Sequence, residues 1–390
     1  MNSPRVAPDS PGAVLQLIRS GAVSSRSELA KYLGVSASTA SSRVQTLIDH
    51  GYVEEAGEGR SLGGRRPRRL ALRPDFGYVA AADLGSRHAT MAVFDMCGTL
   101  VHERTDKVRI AAGPFQVLSW VGDEISRAVN VERGLLGVTV GVPGPVNIRT
   151  GQVVTPSRMP GWHGVLVGSE LVDFLGDTPV LVDNDANLMA VGEHSADAID
   201  HMVFLKAGTG IGCGVIASGR LHRGGMGAAG DIGHLPVPGR EDVECACGRN
   251  GCLDAVASGA ALVRDLQAAG VAVASPLDVV ILARDAEPTV TRLLREAGRA
   301  TGEILATVVN FFNPDAVVIG GQLSLAEPFV SSVRAVVYER CLSMATDDLH
   351  IRTSKVGHLA GVIGGAQLAL EHVLDPQRVN EQIEKKDQGL

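Results

Sequence analysis

One imidazole and three thiols fall close together along the chain, at His234, Cys245, Cys247 and Cys252. Together they are a complete donor set for a closed tetrahedral structural zinc, and Gly248 and Gly251 give the loop freedom to bring Cys252 back around. The competing reading is free thiols in a reducing cytosol. Three of the six cysteines lie within eight residues, which argues for metal rather than a secreted disulfide framework. A second cluster, Asn184-Asp185-Ala186-Asn187, follows Val180-Leu181-Val182-Asp183. A carboxylate at a strand end before a helix can accept the proton of an attacking hydroxyl, the base role in phosphoryl transfer. The same residues suit a helix N-cap, and spacing does not choose between the two. Gly208-Thr209-Gly210-Ile211-Gly212, after the strand Met202–Lys206, lets backbone N–H groups approach a phosphate or simply turns a hairpin. Gly320-Gly321 after Ile319 similarly admits an adenosine or turns the chain.

The elements that must position these groups alternate. Apolar runs at Tyr78–Asp83, His88–Asp95, Gly137–Val142, Val180–Val182, Met202–Lys206, Gly212–Ala217 and Ala316–Gly320 read as strands. Between them, Phe115–Val129 and Thr289–Phe312 read as helices. That order predicts an α/β protein with mostly buried sheets. At 390 residues and 45% hydrophobic, the chain is long and apolar enough for more than one core, and disorder is excluded as its general state. The N-terminus is polar, and no apolar run approaches the ~18 residues of a membrane span. The expected location is the cytoplasm.

The first 75 residues carry 11 Lys and Arg against 7 Asp and Glu, leaving a net −11 for the rest of a chain whose total is −7. The first fifth is therefore the part suited to a polyanion. Val14, Leu15, Leu17 and Ile18 form an apolar face, Ser25-Arg26-Ser27-Glu28 reads as a capping box, and Gly34 supplies a turn. Ser36 then caps a third helix, Ala37 to His50. In it Ala40, Val44, Leu47 and Ile48 recur at helical spacing, while Ser38, Thr39, Ser41, Ser42 and Arg43 lie largely on another face. Short polar side chains near the start of that helix suit a major groove. The segment that follows predicts a two-stranded wing whose tip carries Arg65, Arg66 and Arg68, cations able to contact phosphates or enter a minor groove. A winged helix-turn-helix reader of double-stranded DNA over residues 1–75 is the expectation; three helices in a small interaction bundle are the bland alternative.

Several motifs, in order, resemble the ROK family, which groups sugar-responsive repressors with sugar kinases. They are Gly141-Val142-Pro143-Gly144-Pro145, Asn184-Asp185-Ala186-Asn187, the Gly208 loop, Ala229-Gly230-Asp231-Ile232-Gly233-His234, the Cys-x-Cys-Gly-x-x-Gly-Cys block, and Asn313-Pro314-Asp315 before Ile319-Gly320-Gly321. The resemblance runs from about Gly12 to about Leu370. It implies a two-lobed actin-like (ribonuclease H-like) ATPase fold, a structural zinc, and a homodimer or homotetramer. It also implies a first lobe over residues 76–190, completed by a C-terminal helix at 360–375, a second lobe with the zinc site over 191–359, and a flexible tail at 376–390. Asn184, Asp185, Asp231, His234 and Asp254 match sugar-contacting positions, with Asp185 at the kinases' catalytic base and His234 also a zinc ligand. Gly208, Thr209, Gly210, Gly320 and Gly321 match nucleotide-contacting positions.

The chain also departs from the family. Its kinases open with Asp-x-Gly-Gly-Thr where this chain has Asp83-Leu84-Gly85-Ser86-Arg87, and Arg87 either obstructs the phosphate turn or pairs elsewhere. Asp231 and Asp254 stand where Glu is common, each with roughly 1.5 Å less reach. Arg158-Met159 replaces Asn-Leu, so Arg158 can pair with a phosphate or carboxylate on an altered ligand, or face solvent. The expectation is a sugar-responsive transcriptional repressor with a catalytically silent sensor, which uses neither ATP nor Mg²⁺. The alternative is an ATP-dependent sugar kinase with an appended DNA-binding domain.

Overall fold

The computed structural model describes residues 7–58, 68–129 and 134–389. Three helices, α1 (Pro11–Arg19), α2 (Arg26–Leu33) and α3 (Ala37–Asp49), lead into an antiparallel pair, β1 (Val53–Glu58) and β2 (Arg68–Leu72). Each helix starts on a serine: Ser10, Ser25 and Ser36 accept the N–H groups of Ala13, Glu28 and Thr39. The Glu28 carboxylate reaches one residue further than a capping box requires, to the N–H and hydroxyl of Ser24. Gly34 ends α2 at φ 67°, the left-handed turn that a glycine adopts without strain. The two strands are the expected wing. Its tip, with Arg65 and Arg66, lies outside the described residues.

Two five-stranded sheets follow, with matching topology. The first is built from β3 (Tyr78–Leu84), β4 (Ala89–Asp95), β5 (Leu100–Asp106), β6 (Leu135–Val142) and β9 (Val180–Asn184), in the order β5-β4-β3-β6-β9. The second holds β10 (Met202–Ala207), β11 (Ile211–Ala217), β12 (Arg220–Leu221), β13 (Ala316–Gly320) and β14 (His350–Thr353), in the order β12-β11-β10-β13-β14. In each, three strands form an antiparallel meander and two more add in parallel. The remaining first-lobe elements are α4 (Pro114–Ala128), the short pair β7 (Val146–Asn147) and β8 (Gln152–Val153), and the single turns α5 (Val167–Glu170) and α6 (Val172–Leu175). The helix α7 (Asp185–Asp197) then leads into the second lobe. There, α8 (Leu253–Ala257), α9 (Gly259–Ala268), α10 (Pro276–Arg284), α11 (Pro288–Phe312), α12 (Glu327–Arg340) and α13 (Ser343–Thr346) surround the sheet.

Two helices lock the lobes together. The helix α7 follows a first-sheet strand but packs on β10 and β11, while α14 (Ala360–Val373) follows β14 and packs back on β3 and β6. They cross at Gly192 and Gly364, where a Cβ would lie 2.0 Å from the Ala360 carbonyl oxygen or 1.9 Å from that of Leu188. Only glycine permits that approach.

Residues 376–390 were expected to form a flexible tail; the structure instead places a helix there, α15 (Pro376–Asp387). It lies on α1, burying Val379 and Ile383 in the same apolar core as Val14, Leu15, Val44 and Leu47. Asn380 accepts the Gly12 N–H at 2.8 Å, the Tyr52 hydroxyl donates to Gln382 at 2.6 Å, and His50 meets Asp387 at 3.1 Å. A mostly polar sequence hid this element because the side that docks needs few apolar residues. Among the described residues, no helix is long and apolar enough to cross a membrane.

Candidate functional site

The cleft between the lobes gathers the expected ligand-contacting side chains in one cavity of about 120 Å³. That is smaller than the roughly 300–1,000 Å³ typical of drug-sized ligands and suits a single small ring. Asn184, Asp185, Asp231, His234, Asp254 and Gly210 all line it, together with Ser86, Arg158 and Lys206.

Asn184 ends β9 and caps α7, accepting the Ala186 N–H at 2.9 Å while its amide donates to the Gly144 carbonyl at 3.1 Å. The helix cap thus presents Asp185, the first residue of α7, to the cavity. Its carboxylate is buried and hydrogen-bonded by the Lys206 ammonium near the end of β10. Burial opposes the charge on Lys206, but Asp185, Asp83 and Asp254 outweigh it and raise its pKa. Behind this pair, burial and the Asp185 carboxylate push the Asp83 pKa up to about 7, against the pull of Lys206. The Asp83 Oδ1 atom has no hydrogen-bond partner, and its other oxygen presses on Gly361 of α14, where a Cβ would stand 2.3 Å away. Asp183, next along, is held by Arg223 at 2.6 Å and by the Asn187 amide at 2.7 Å.

Asp254, on α8, accepts the Ile211 N–H at 2.9 Å on one oxygen. Its other oxygen takes Nε of Arg158 at 2.8 Å and a terminal guanidinium nitrogen at 2.6 Å. Arg158 comes from the first lobe, crosses the cleft and lines the cavity rather than facing bulk solvent. Arg87 also crosses, donating to the Ala274 carbonyl at 2.7 Å. Gly208, Thr209 and Gly210 make the tight turn of the β10–β11 hairpin, with Ala207 paired to Ile211. The N–H groups of Gly259 and Ala260, opening α9, bond the carbonyls of Gly208 and Thr209 at 2.8 and 3.1 Å. Gly320 ends β13 beside that turn, and Gly321 follows it at φ 80°. Lys206, Asp183 and Arg223 were not singled out in the sequence, and Asp83 entered only as the first residue of the Asp83-Leu84-Gly85-Ser86-Arg87 motif. The legible signal was Lys206, a lone cation in an apolar strand.

One nitrogen of His234 and the sulfurs of Cys245, Cys247 and Cys252 all lie within 4.8 Å of one another. Cys245 Sγ is 3.7 Å from His234 Nδ1, and Cys247 Sγ is 3.6 Å from Cys252 Sγ. Thiolates at about 2.3 Å from a tetrahedral ion would stand at such separations. The donors are also those of a closed structural site, so the four residues fit a bound divalent metal. His234 borders both the metal cluster and the cavity.

On the N-terminal unit, Ser38 and Ser42 of α3 are exposed, and the Ser38 and Thr39 hydroxyls meet that of the cap Ser36 at 2.7 and 2.8 Å. The Ser41 carbonyl accepts from Arg26 at 3.0 Å. Arg43 pairs with Asp9 at 3.2 Å through one terminal nitrogen and stays 40% exposed. Arg68 projects from β2 and pairs with Glu55 at 2.8 Å.

Comparison with known proteins matches residues 79–372 to the model of the ROK family and residues 11–61 to that of the MarR family. A xylose repressor of Caldicellulosiruptor bescii is 29% identical over 382 residues, covering 93% of this chain and 95% of that protein. A glucokinase of Thermotoga maritima is also 29% identical, over 98% of its own length but only 76% of this chain. Among solved structures, a ROK family transcriptional regulator described as a homolog of the E. coli MLC protein superposes with TM-score 0.78 at 24% identity, over 96% of this chain and 98% of its own. A Streptomyces griseus ROK glucokinase bound to glucose and AMPPNP gives TM-score 0.64 at 25% identity, over 75% and 99%.

Proposed function

This chain belongs to the ROK family, and from that premise we propose that it is a sugar-responsive, DNA-binding transcriptional repressor whose kinase-like sensor does not phosphorylate its ligand. The observation that carries this is the union of the two units: the xylose repressor aligns through both, whereas the glucokinase leaves about a quarter of the chain uncovered. In this reading Ser38, Thr39, Ser41, Ser42 and Arg43 face the major groove and Arg65, Arg66 and Arg68 of the wing hold phosphates. Asn184, Asp185, Asp231, His234 and Asp254 hold sugar hydroxyls. The metal held by His234, Cys245, Cys247 and Cys252 is zinc, which would supply no chemistry there beyond fixing the loop that carries His234.

Silence toward ATP follows from two features. The Lys206 ammonium pairs with one oxygen of Asp185 and so weakens that carboxylate as a base for a hydroxyl proton. The phosphate turn has lost its second glycine, and Gly208, Thr209, Gly210, Gly320 and Gly321 serve as structural turns. The path to DNA is short. The helix α14 abuts Asp83 beside the cavity and continues at Leu374 into α15, which grips α1. A ligand that shifts one lobe against the other moves this pair, and with it the spacing of two winged-helix units on a pseudo-palindromic operator bound by a dimer or tetramer. The test is binding of purified zinc-loaded protein to DNA from upstream of its own gene, titrated with xylose, N-acetylglucosamine and other neutral, amino and phosphorylated sugars. Release by one sugar is expected. No DNA binding together with sugar-dependent ADP formation would overturn the proposal in favour of a kinase.

A further inference from the structure

Three carboxylates line the cavity; those of Asp254 and Asp185 are already paired with cations, while Asp231 is exposed. One oxygen of Asp254 takes the Ile211 N–H and the other takes two N–H groups of Arg158, while Asp185 is bonded by Lys206. Asp183, behind them, is held by Arg223 and by the Asn187 amide. Besides Asp231 and His234, the groups left to face a ligand are donors: the remaining guanidinium and ammonium N–H groups and the hydroxyl of Ser86. A ligand offering only hydroxyls must part Arg158 from Asp254 to reach that carboxylate, and it leaves a part-buried guanidinium without a counter-charge. A ligand with its own negative charge avoids this. Its anionic group takes over Arg158, Asp254 is released to accept sugar hydroxyls, and every charge keeps a partner.

We infer that the ligand of this cleft is a sugar derivative bearing a carboxylate or phosphate group, seated by Arg158 with Lys206 as the second cation of the same cavity. This rests on the ligand-binding reading of the cleft given above and adds the class of ligand. Arg158 acts as a specificity-determining residue: it closes on Asp254 when the cavity is empty and on the ligand's anion when it is filled. A planar guanidinium suits both oxoanions, since each offers two oxygens to its fork.

The test is calorimetry on the zinc-loaded full chain at constant ionic strength, with glucose, glucuronate, glucose 6-phosphate and inorganic phosphate as probes. At least one anionic probe is expected to bind tenfold or more tighter than glucose; glucuronate and glucose 6-phosphate separate the carboxylate from the phosphate source. In R158Q that advantage is expected to shrink to within about threefold, with the free protein still folded by circular dichroism. The double variant D185N/K206Q, which removes both members of the second pair together, is expected to weaken the anionic probes less than R158Q does. Glucose binding as tightly as both anionic sugars, an undiminished anion preference in R158Q, or no binding of any anionic probe would each overturn the inference. Release of the operator by a neutral sugar would overturn it while leaving the regulator reading intact; failure of the protein to bind DNA would remove the regulator reading and leave anion binding to be judged by calorimetry alone.

Discussion

Substituting Ile383 by alanine tests whether the C-terminal helix is a docked part of the DNA-reading unit. Ile383 is 5% exposed and Val379 fully buried, both in the core that includes α1 and α3. Truncating a buried isoleucine costs about 2–5 kcal/mol, and the position near the surface favours the lower half, about 3 kcal/mol. A helix of 12 residues is marginal alone, so an undocked α15 also unfolds and its amides exchange. At about 1.4 kcal/mol per decade, I383A should lower the hydrogen-exchange protection of residues 379–387 by about a hundredfold. Amides in β3 and β6 should keep theirs. Operator affinity should fall with it, because α1 loses its cover and its bond to Asn380, and Tyr52 loses its bond to Gln382. Protection unchanged at residues 379–387, or lost evenly over the whole chain, would refute the reasoning.

Cys247→Ser should lose zinc and lower the melting temperature together, read by metal analysis and calorimetry, whereas full zinc content would remove Cys247 from the ligand set. Neutralising Arg65 and Arg66 should weaken operator binding and reduce its slope against log salt by about two; unchanged affinity would reject the wing assignment. Asp185→Asn should impair the response to effector and leave DNA binding in place, so an unaltered dose-response would count against the cleft. The Asp83 pKa, raised from 3.8 to about 7, means that the folded chain holds a proton there that the unfolded chain releases between those values. Its contribution to stability is therefore present below the lower value and lost as pH rises through the higher one. Asp83→Asn should flatten the fall in stability between about pH 4 and 7 seen by denaturant titration.

Where the chemistry depends on residue type, the sequence was readable. The helix caps at Ser25 and Ser36, the cysteine cluster and the strand-end Asn184-Asp185 pair all stand where their spacing indicates. At that pair the cap is Asn184, and both Asn184 and Asp185 border the cavity. Elements without a buried face were not readable. The edge strand Leu100–Asp106 is exposed almost throughout, so it carries no alternation to detect, and β14 is four residues long. In α15 only Val379 and Ile383 mark the docked side, at a spacing of four within a polar segment. Pairings across long separations were also hidden: Arg158 meets Asp254 across 96 positions and Lys206 meets Asp185 across 21. No local pattern encodes which carboxylate a cation finds.

Those pairings also set what a ligand must do to act as a signal. Arg158 to Asp254 and Arg87 to the Ala274 carbonyl both run from the first lobe to the second. A ligand that made the same contacts in every lobe arrangement would shift nothing, however tightly it bound. One that takes Asp254 from Arg158 binds only where that bridge is open, and its affinity is then coupled to lobe position. A hydrogen bond to a charged group is worth about 1.5–3 kcal/mol net. A hundredfold preference between two states needs about 2.7 kcal/mol. One bridge across the cleft is therefore enough, in magnitude, to turn occupancy of the cavity into a change at α14 and the helix it carries to the DNA-reading unit.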